Sequence, residues 1–156
     1  MFRTLSLSTK PENQFISSVN KYLPDVYHEK MYNPYRAGTA DVWYSGQMGD
    51  VWVEYKFIPK IPKSLEIVPA LTDRQLKWLR DRHAEGRNVV VILGCPDGGV
   101  FMENRTWESP MTSDEMKARL MGRKELAGLI RGITGASSCL TQYSEPPKPA
   151  TTSTRS

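Results

Sequence analysis

Five consecutive apolar residues, Val89-Val90-Val91-Ile92-Leu93, constrain the fold of this chain more than any other stretch. A run without polar alternation, bounded by Asn88 and Gly94, reads as a strand buried on both faces, the kind found where helices cover a sheet. The residues before it supply such a helix. Thr72-Asp73-Arg74-Gln75 is a capping box, Leu71 and Leu76 stand at the spacing of a hydrophobic staple, and Gly86 ends a helix whose Leu76, Leu79 and His83 share one face. A helix that runs into a buried strand is the pattern of a crossover.

The segment upstream carries the chemistry. If residues 51–57 form a strand, Glu54 and Lys56 point to one face and Val53, Tyr55 and Phe57 to the other. Gly46-Gln47-Met48-Gly49-Asp50 is turn-rich and lets 41–45 pair with 50–57 as a hairpin, which brings Asp41 across from the Glu54/Lys56 face. The structural alternative is an Asp that opens a hairpin strand and an exposed Glu–Lys pair contributing a few tenths of a kcal/mol. Trp52 and Val53 argue against it, because ionisable pairs are unusual in so apolar a strand. Two carboxylates suit a hard cation such as magnesium or manganese that keeps positions open for a phosphate, and a neighbouring lysine can orient or help deprotonate an attacking water. That combination points to phosphodiester hydrolysis.

At Asp41 and Glu54-Tyr55-Lys56 the chain resembles the PD-(D/E)xK nuclease superfamily, which includes restriction endonucleases, Holliday junction resolvases and virus-type replication-repair nuclease domains. The resemblance covers roughly residues 9–103 and rests on order and spacing. It implies Asp41 and Glu54 as metal ligands, the Tyr55 carbonyl as a further ligand, and Lys56 as the residue that positions water. Ala40 stands where the superfamily's name has proline. Relatives also place an acid on the first helix, which makes Glu12 a candidate ligand, and a glutamine on the helix after Glu-x-Lys, which makes Gln75 a candidate for the catalytic set. Each has a capping role available too, Glu12 with Thr9 and Gln75 with Thr72. The superfamily's products usually carry a 5′-phosphate, and the size is similar to nucleases encoded by phages or mobile elements.

The remaining elements fit an α/β, restriction-endonuclease-like core, a mixed central sheet with flanking helices in α-β-β-β-α-β order plus one extra strand. Phe15, Ile16, Val19 and Leu23 recur at helical spacing until Pro24, a short strand is expected near 25–32, and Val100-Phe101-Met102-Glu103 reads as a strand after the turn Pro96-Asp97-Gly98-Gly99. Thr112-Ser113-Asp114-Glu115 starts a short helix, and Leu126, Leu129, Ile130 and Ile133 form a stripe on another that packs on its own core or on a second copy in a homodimer. One nuclease-like domain over 1–142 and a disordered Pro/Ser/Thr-rich tail over 143–156 are expected.

A formal charge of +4 suits an anionic partner such as DNA without requiring one. Lys60 and Lys63, in a proline-stiffened loop, with Arg74 and Lys77 on the helix and Arg36 just before Asp41, are the candidate phosphate contacts. Interleaved Asp73, Asp81 and Glu85 make a solvated, ion-paired face the competing reading for the helix. The tryptophans near Asp41 are assigned to the core, and His28 and His83 to structural positions. Cys95 and Cys139 lack zinc-site spacing and are expected as reduced thiols; with no apolar run near the roughly 20 residues of a membrane span, the chain is expected to be soluble and cytoplasmic. The expected activity is structure-selective cleavage of branched or junction DNA. Alternatives are a non-specific or single-strand-directed nuclease, or a non-catalytic DNA-binding or interaction protein on the same scaffold.

Overall fold

A computed structural model describes residues 11–32 and 38–135. Along the chain run α1 (Pro11–Asn20), β1 (Tyr27–Lys30), β2 (Val42–Gly46), β3 (Gly49–Phe57), α2 (Asp73–Ala84), β4 (Val89–Cys95), β5 (Gly98–Met102), a short 3-10 helix (Thr106–Glu108), α3 (Ser113–Arg119) and α4 (Arg123–Thr134). This is the expected order with the extra strand included. The Thr9 capping partner, Arg36, Cys139 and the tail from 143 lie outside the described residues.

The five strands form one sheet in chain order. β1, β2 and β3 pair antiparallel, β3 and β4 pair parallel, and β5 returns antiparallel on β4. The single parallel pair is the one α2 bridges, as a crossover requires. β4 is buried at every position, which is what its unbroken apolar run demands. Gln47-Met48 is the two-residue turn of the β2–β3 hairpin, with Gly46 opposite Gly49 and Val42 opposite Val53.

Period-two alternation splits the interior into two cores. On one face α1 and α4 cover Val53, Tyr55, Val90 and Ile92, with Phe15, Val19, Leu126 and Ile130 contributed by the helices. On the other, α2, the 3-10 helix and α3 cover Val91, Leu93, Val100 and Met102 through Leu79, Trp107 and Met116. Each fully buried aliphatic side chain contributes roughly 1.5–3 kcal/mol of transfer free energy. The α4 stripe thus packs on its own core: Leu126 and Ile130 are fully buried, and Leu129 is left 38 % exposed. Gly94 is required by contact, because a Cβ there would sit 2.8 Å from the Phe15 ring. No helix among the described residues is long and apolar enough to cross a membrane.

Candidate active site

Asp41 stands one residue before β2, and the register that pairs Val42 with Val53 carries it opposite Glu54. The β1 end fixes its backbone, since the Met31 N–H donates to the Asp41 carbonyl at 2.7 Å. On β3, the N–H groups of even-numbered residues face β4, as Trp52 donating to the Asn88 carbonyl at 2.9 Å shows, so those of Val53 and Tyr55 face β2. β2 starts only at Val42, and the Asp41 carboxylate takes the exposed Tyr55 N–H at 2.9 Å. The Tyr55 carbonyl lies on that same edge, beside Asp41. The Tyr55 side chain points to the opposite face, where its hydroxyl shares a 2.6 Å hydrogen bond with Tyr44, whose own hydroxyl donates to Asn20 at 2.6 Å.

Glu54 and Lys56 share a face, as the alternation predicts. Glu54 is 1 % exposed, an unusual burial for a carboxylate. One carboxylate oxygen accepts from the Gln75 side-chain amide at 2.7 Å and lies 3.6 Å from the Lys56 ammonium. The other oxygen is buried with no hydrogen-bond partner. Burial first, and then the negative charge of Asp41, push the Glu54 carboxyl up to about 8, against the pull of Lys56. Asp41 is also raised, by burial, although the Tyr55 N–H and Lys56 oppose the shift.

Gln75 performs both tasks open to it. Its carbonyl oxygen accepts from the Thr72 N–H at 3.0 Å and its backbone N–H donates to the Thr72 hydroxyl at 3.1 Å, closing the capping box. With its oxygen committed to the cap, the amide is turned so that its NH2 meets Glu54. The helix start that punctuates the sequence therefore also orients the carboxylate. Gly38, at φ +112°, approaches the Arg74 carbonyl so closely that a Cβ would lie 2.9 Å from it, which seats the segment leading to Asp41 against the first turn of α2.

Glu12, the further candidate ligand, lies in the first turn of α1; among the described residues no three His, Cys, Asp or Glu side chains are grouped as a metal cluster. The helix packs on the Tyr55 face, and the negative charge of Glu12 pushes the Glu54 carboxyl further up. The strand register brings three oxygen donors together, those of Asp41, Glu54 and the Tyr55 carbonyl. That chemistry fits a magnesium or manganese ion, and the partnerless Glu54 oxygen is the atom such an ion would satisfy.

Of the candidate phosphate contacts, Lys60, Lys63 and Arg74 are exposed with no ion pair among the described residues, whereas Lys77 is held by Asp81 at 2.6 Å. Arg80 is bound to Glu108, which also takes Arg105, and Arg82 pairs with Glu85 at 2.9 Å. The helix face is thus largely the ion-paired surface of the competing reading. Lys60 and Lys63 line a hollow of about 310 Å3 beyond the Lys56 end of β3, together with Lys117. His83 lies edge-on to Trp107, a structural position.

Trp43, Trp52 and Trp78 sit at the margin of the core, where Trp52 and Trp78 pack against the α2-face cluster. Trp43 and Trp52 stack at 5.7 Å, Trp78 meets Trp52 edge-on at 5.6 Å, and all three are only partly buried. Trp52 and Trp78 line an open cleft of about 700 Å3. Positions 43 and 52 are equidistant from the Gln47-Met48 turn, so their pairing is readable from the hairpin; the arrival of Trp78 from α2 is not.

A mixed sheet with a buried carboxylate and a lysine on β3, faced by a second carboxylate just before β2, defines an α/β chain with an acid–acid–lysine site. No protein-family model matches the sequence, and no curated protein matches it. Among solved structures, the chain is similar to a Holliday junction resolvase, Hjc, of the archaeal hyperthermophile Archaeoglobus fulgidus, with a TM-score of 0.47 and 15% sequence identity over 75% of this chain and 100% of the other.

Proposed function

We propose that this chain is a divalent-metal-dependent endonuclease that hydrolyses phosphodiester bonds in DNA. The observation that carries the reading is Glu54: a carboxylate buried in a sheet, opposite a second carboxylate, with one oxygen oriented by Gln75 and the other unpartnered. A buried polar atom without a partner costs on the order of 1–3 kcal/mol, more if charged, and such a cost is retained where a ligand relieves it. Asp41, Glu54 and the Tyr55 carbonyl would hold a magnesium or manganese ion. When bound, the ion supplies charge to the phosphate oxygens and lowers the pKa of water.

The protein's own groups divide the remaining work. Gln75 holds Glu54 in one rotamer, and the Tyr55 N–H does the same for Asp41. Lys56 places a cation beside the carboxylates, where its ammonium can donate to the attacking water and offset charge that builds on the phosphate. Exposed Lys60, Lys63 and Arg74 provide charge for the backbone on either side, with Arg36 a further candidate. We place the nuclease domain at 1–142 and its action in the cytoplasm, with branched DNA as the substrate class and a homodimer as the form that would cut paired strands.

Labelled linear, nicked, single-stranded and four-way-junction DNAs, incubated with magnesium, manganese or EDTA, test the reading. Metal-dependent cutting by the wild type and its loss in Asp41→Ala are expected. DNA binding without cutting under any condition would instead support the non-catalytic scaffold.

A further inference from the structure

The cleft beside the site has the features of a base-binding surface. Trp52 is two residues before Glu54 on the same face of β3, and Thr39, on the cleft's lip, is two residues before Asp41. The cleft therefore adjoins the acidic pair along the direction of the strand, opposite the lysine-lined hollow beyond Lys56. Its wall is aromatic, formed by Trp52 and Trp78, and its volume of about 700 Å3 is in the range of sites that enclose a group of nucleotide size.

The charge at the rim is asymmetric. Arg87 is exposed and pairs with no carboxylate among the described residues. Arg82 spends one guanidinium nitrogen on Glu85, while its Nε is buried with no acceptor. The one carboxylate of the lining, Asp50, already accepts from the Ser45 hydroxyl at 2.6 Å. An occupant that presents a flat ring to the tryptophans and an anionic oxygen to the two arginines meets both features. Along a base-paired duplex the ring faces are covered by stacking and the grooves expose only base edges, so its interior bases cannot do so.

We propose that this cleft holds unpaired nucleotides of the substrate next to the scissile position, so that the substrate class is DNA with a single-stranded segment adjoining the cut. The proposal rests on the nuclease reading for its orientation but predicts a binding preference that is measurable without cleavage. Trp52 and Trp78 supply stacking that tolerates any base, and Arg82 and Arg87 fix the phosphates.

The test is binding in EDTA, followed by anisotropy of labelled DNA and by intrinsic tryptophan fluorescence. A duplex with a single-stranded overhang should bind about tenfold more tightly than the blunt duplex or a fully paired four-way junction, and should quench tryptophan emission where the blunt duplex does not. Arg87→Ala, at an exposed position that leaves folding intact, and Trp78→Leu should each reduce the overhang-to-blunt ratio severalfold. Equal affinity for blunt and overhang DNA, or a preference that survives both variants, would overturn the proposal. Quenching by polyglutamate but not by DNA would also overturn it and assign the cleft to an acidic protein partner. The two readings fail separately: Asp41-dependent cutting that ignores overhangs removes only the cleft proposal, and an overhang preference without cutting in magnesium removes only the nuclease.

Discussion

The two faces of β3 bury polar groups in opposite ways. On the α1/α4 face, the Tyr55 hydroxyl meets Tyr44, and Tyr44 meets Asn20, so each buried oxygen has a partner. On the α2 face, one residue away along the strand, Glu54 is equally buried and keeps an unpartnered oxygen beside a second carboxylate. The first arrangement is what a sheet core does with polar atoms that only need to be buried. The second raises the energy of the metal-free protein and makes sense for a site that is completed by a cation.

The largest effect separating the faces should be on cleavage. Asp41→Asn and Lys56→Ala should each lower the rate by about a thousandfold or more, since they remove charge that acts on the transition state, while the melting temperature changes little. Cleavage and melting of the purified variants check this. Retained activity would reduce the α2 face to an awkward core.

On the opposite face the expected effects fall on stability. Gly94→Ala drives a methyl group into Phe15 and should cost about 1–3 kcal/mol in chemical denaturation. Tyr44→Phe strands the Tyr55 hydroxyl and Asn20 and should cost about 1–3 kcal/mol, with cleavage per folded molecule unchanged. A Tyr44→Phe protein of wild-type stability would show that the contrast between the faces is not one of polar satisfaction.

Gln75→Ala spans both categories. Loss of the capping box should cost about 1 kcal/mol, and the freed Glu54 should lower cleavage by roughly tenfold without abolishing it. Gln75→Glu keeps an acceptor for the Thr72 N–H but sets a third carboxyl against Glu54 and Asp41, so cleavage should not recover.

The smallest effect is on pH dependence. The Glu54 carboxyl is raised to about 8 in the folded chain, above its ordinary value near 4.5, so between those values the folded state binds a proton that the unfolded state has lost. Metal-free stability from this group is fully present below about pH 4.5 and is lost as pH rises through 8. Melting of the EDTA-treated protein should therefore fall from pH 5 to 8, and Glu54→Gln should flatten that slope. An unchanged slope in the variant would place the titration elsewhere.

Much of this site was legible in the sequence because it depends on local periodicity. Alternation in 51–57 sets Glu54 and Lys56 on one face, the turn at Gln47-Met48 sets Asp41 opposite Glu54, and the Thr72/Gln75 box sets the start of α2. Features that depend on tertiary placement were not legible. That α1 packs on the far face of the sheet and that Trp78 joins Trp52 at a cleft depend on how helices seat on the sheet, and the contact of Gln75 with Glu54 was indicated by the resemblance and not by local periodicity. The basic helix residues illustrate the same point. Their charges are visible in the sequence, but the capture of Arg80 by Glu108 comes from a segment 28 positions away.

The most direct test of the central claim is the cleavage rate of wild type and Glu54→Gln as a function of manganese concentration on the preferred DNA. The account predicts no cutting in EDTA, a saturable rise in the wild type, and no rise for Glu54→Gln, which keeps the shape of the side chain but not its charge. Cutting in EDTA, or equal manganese curves for the two proteins, would contradict it.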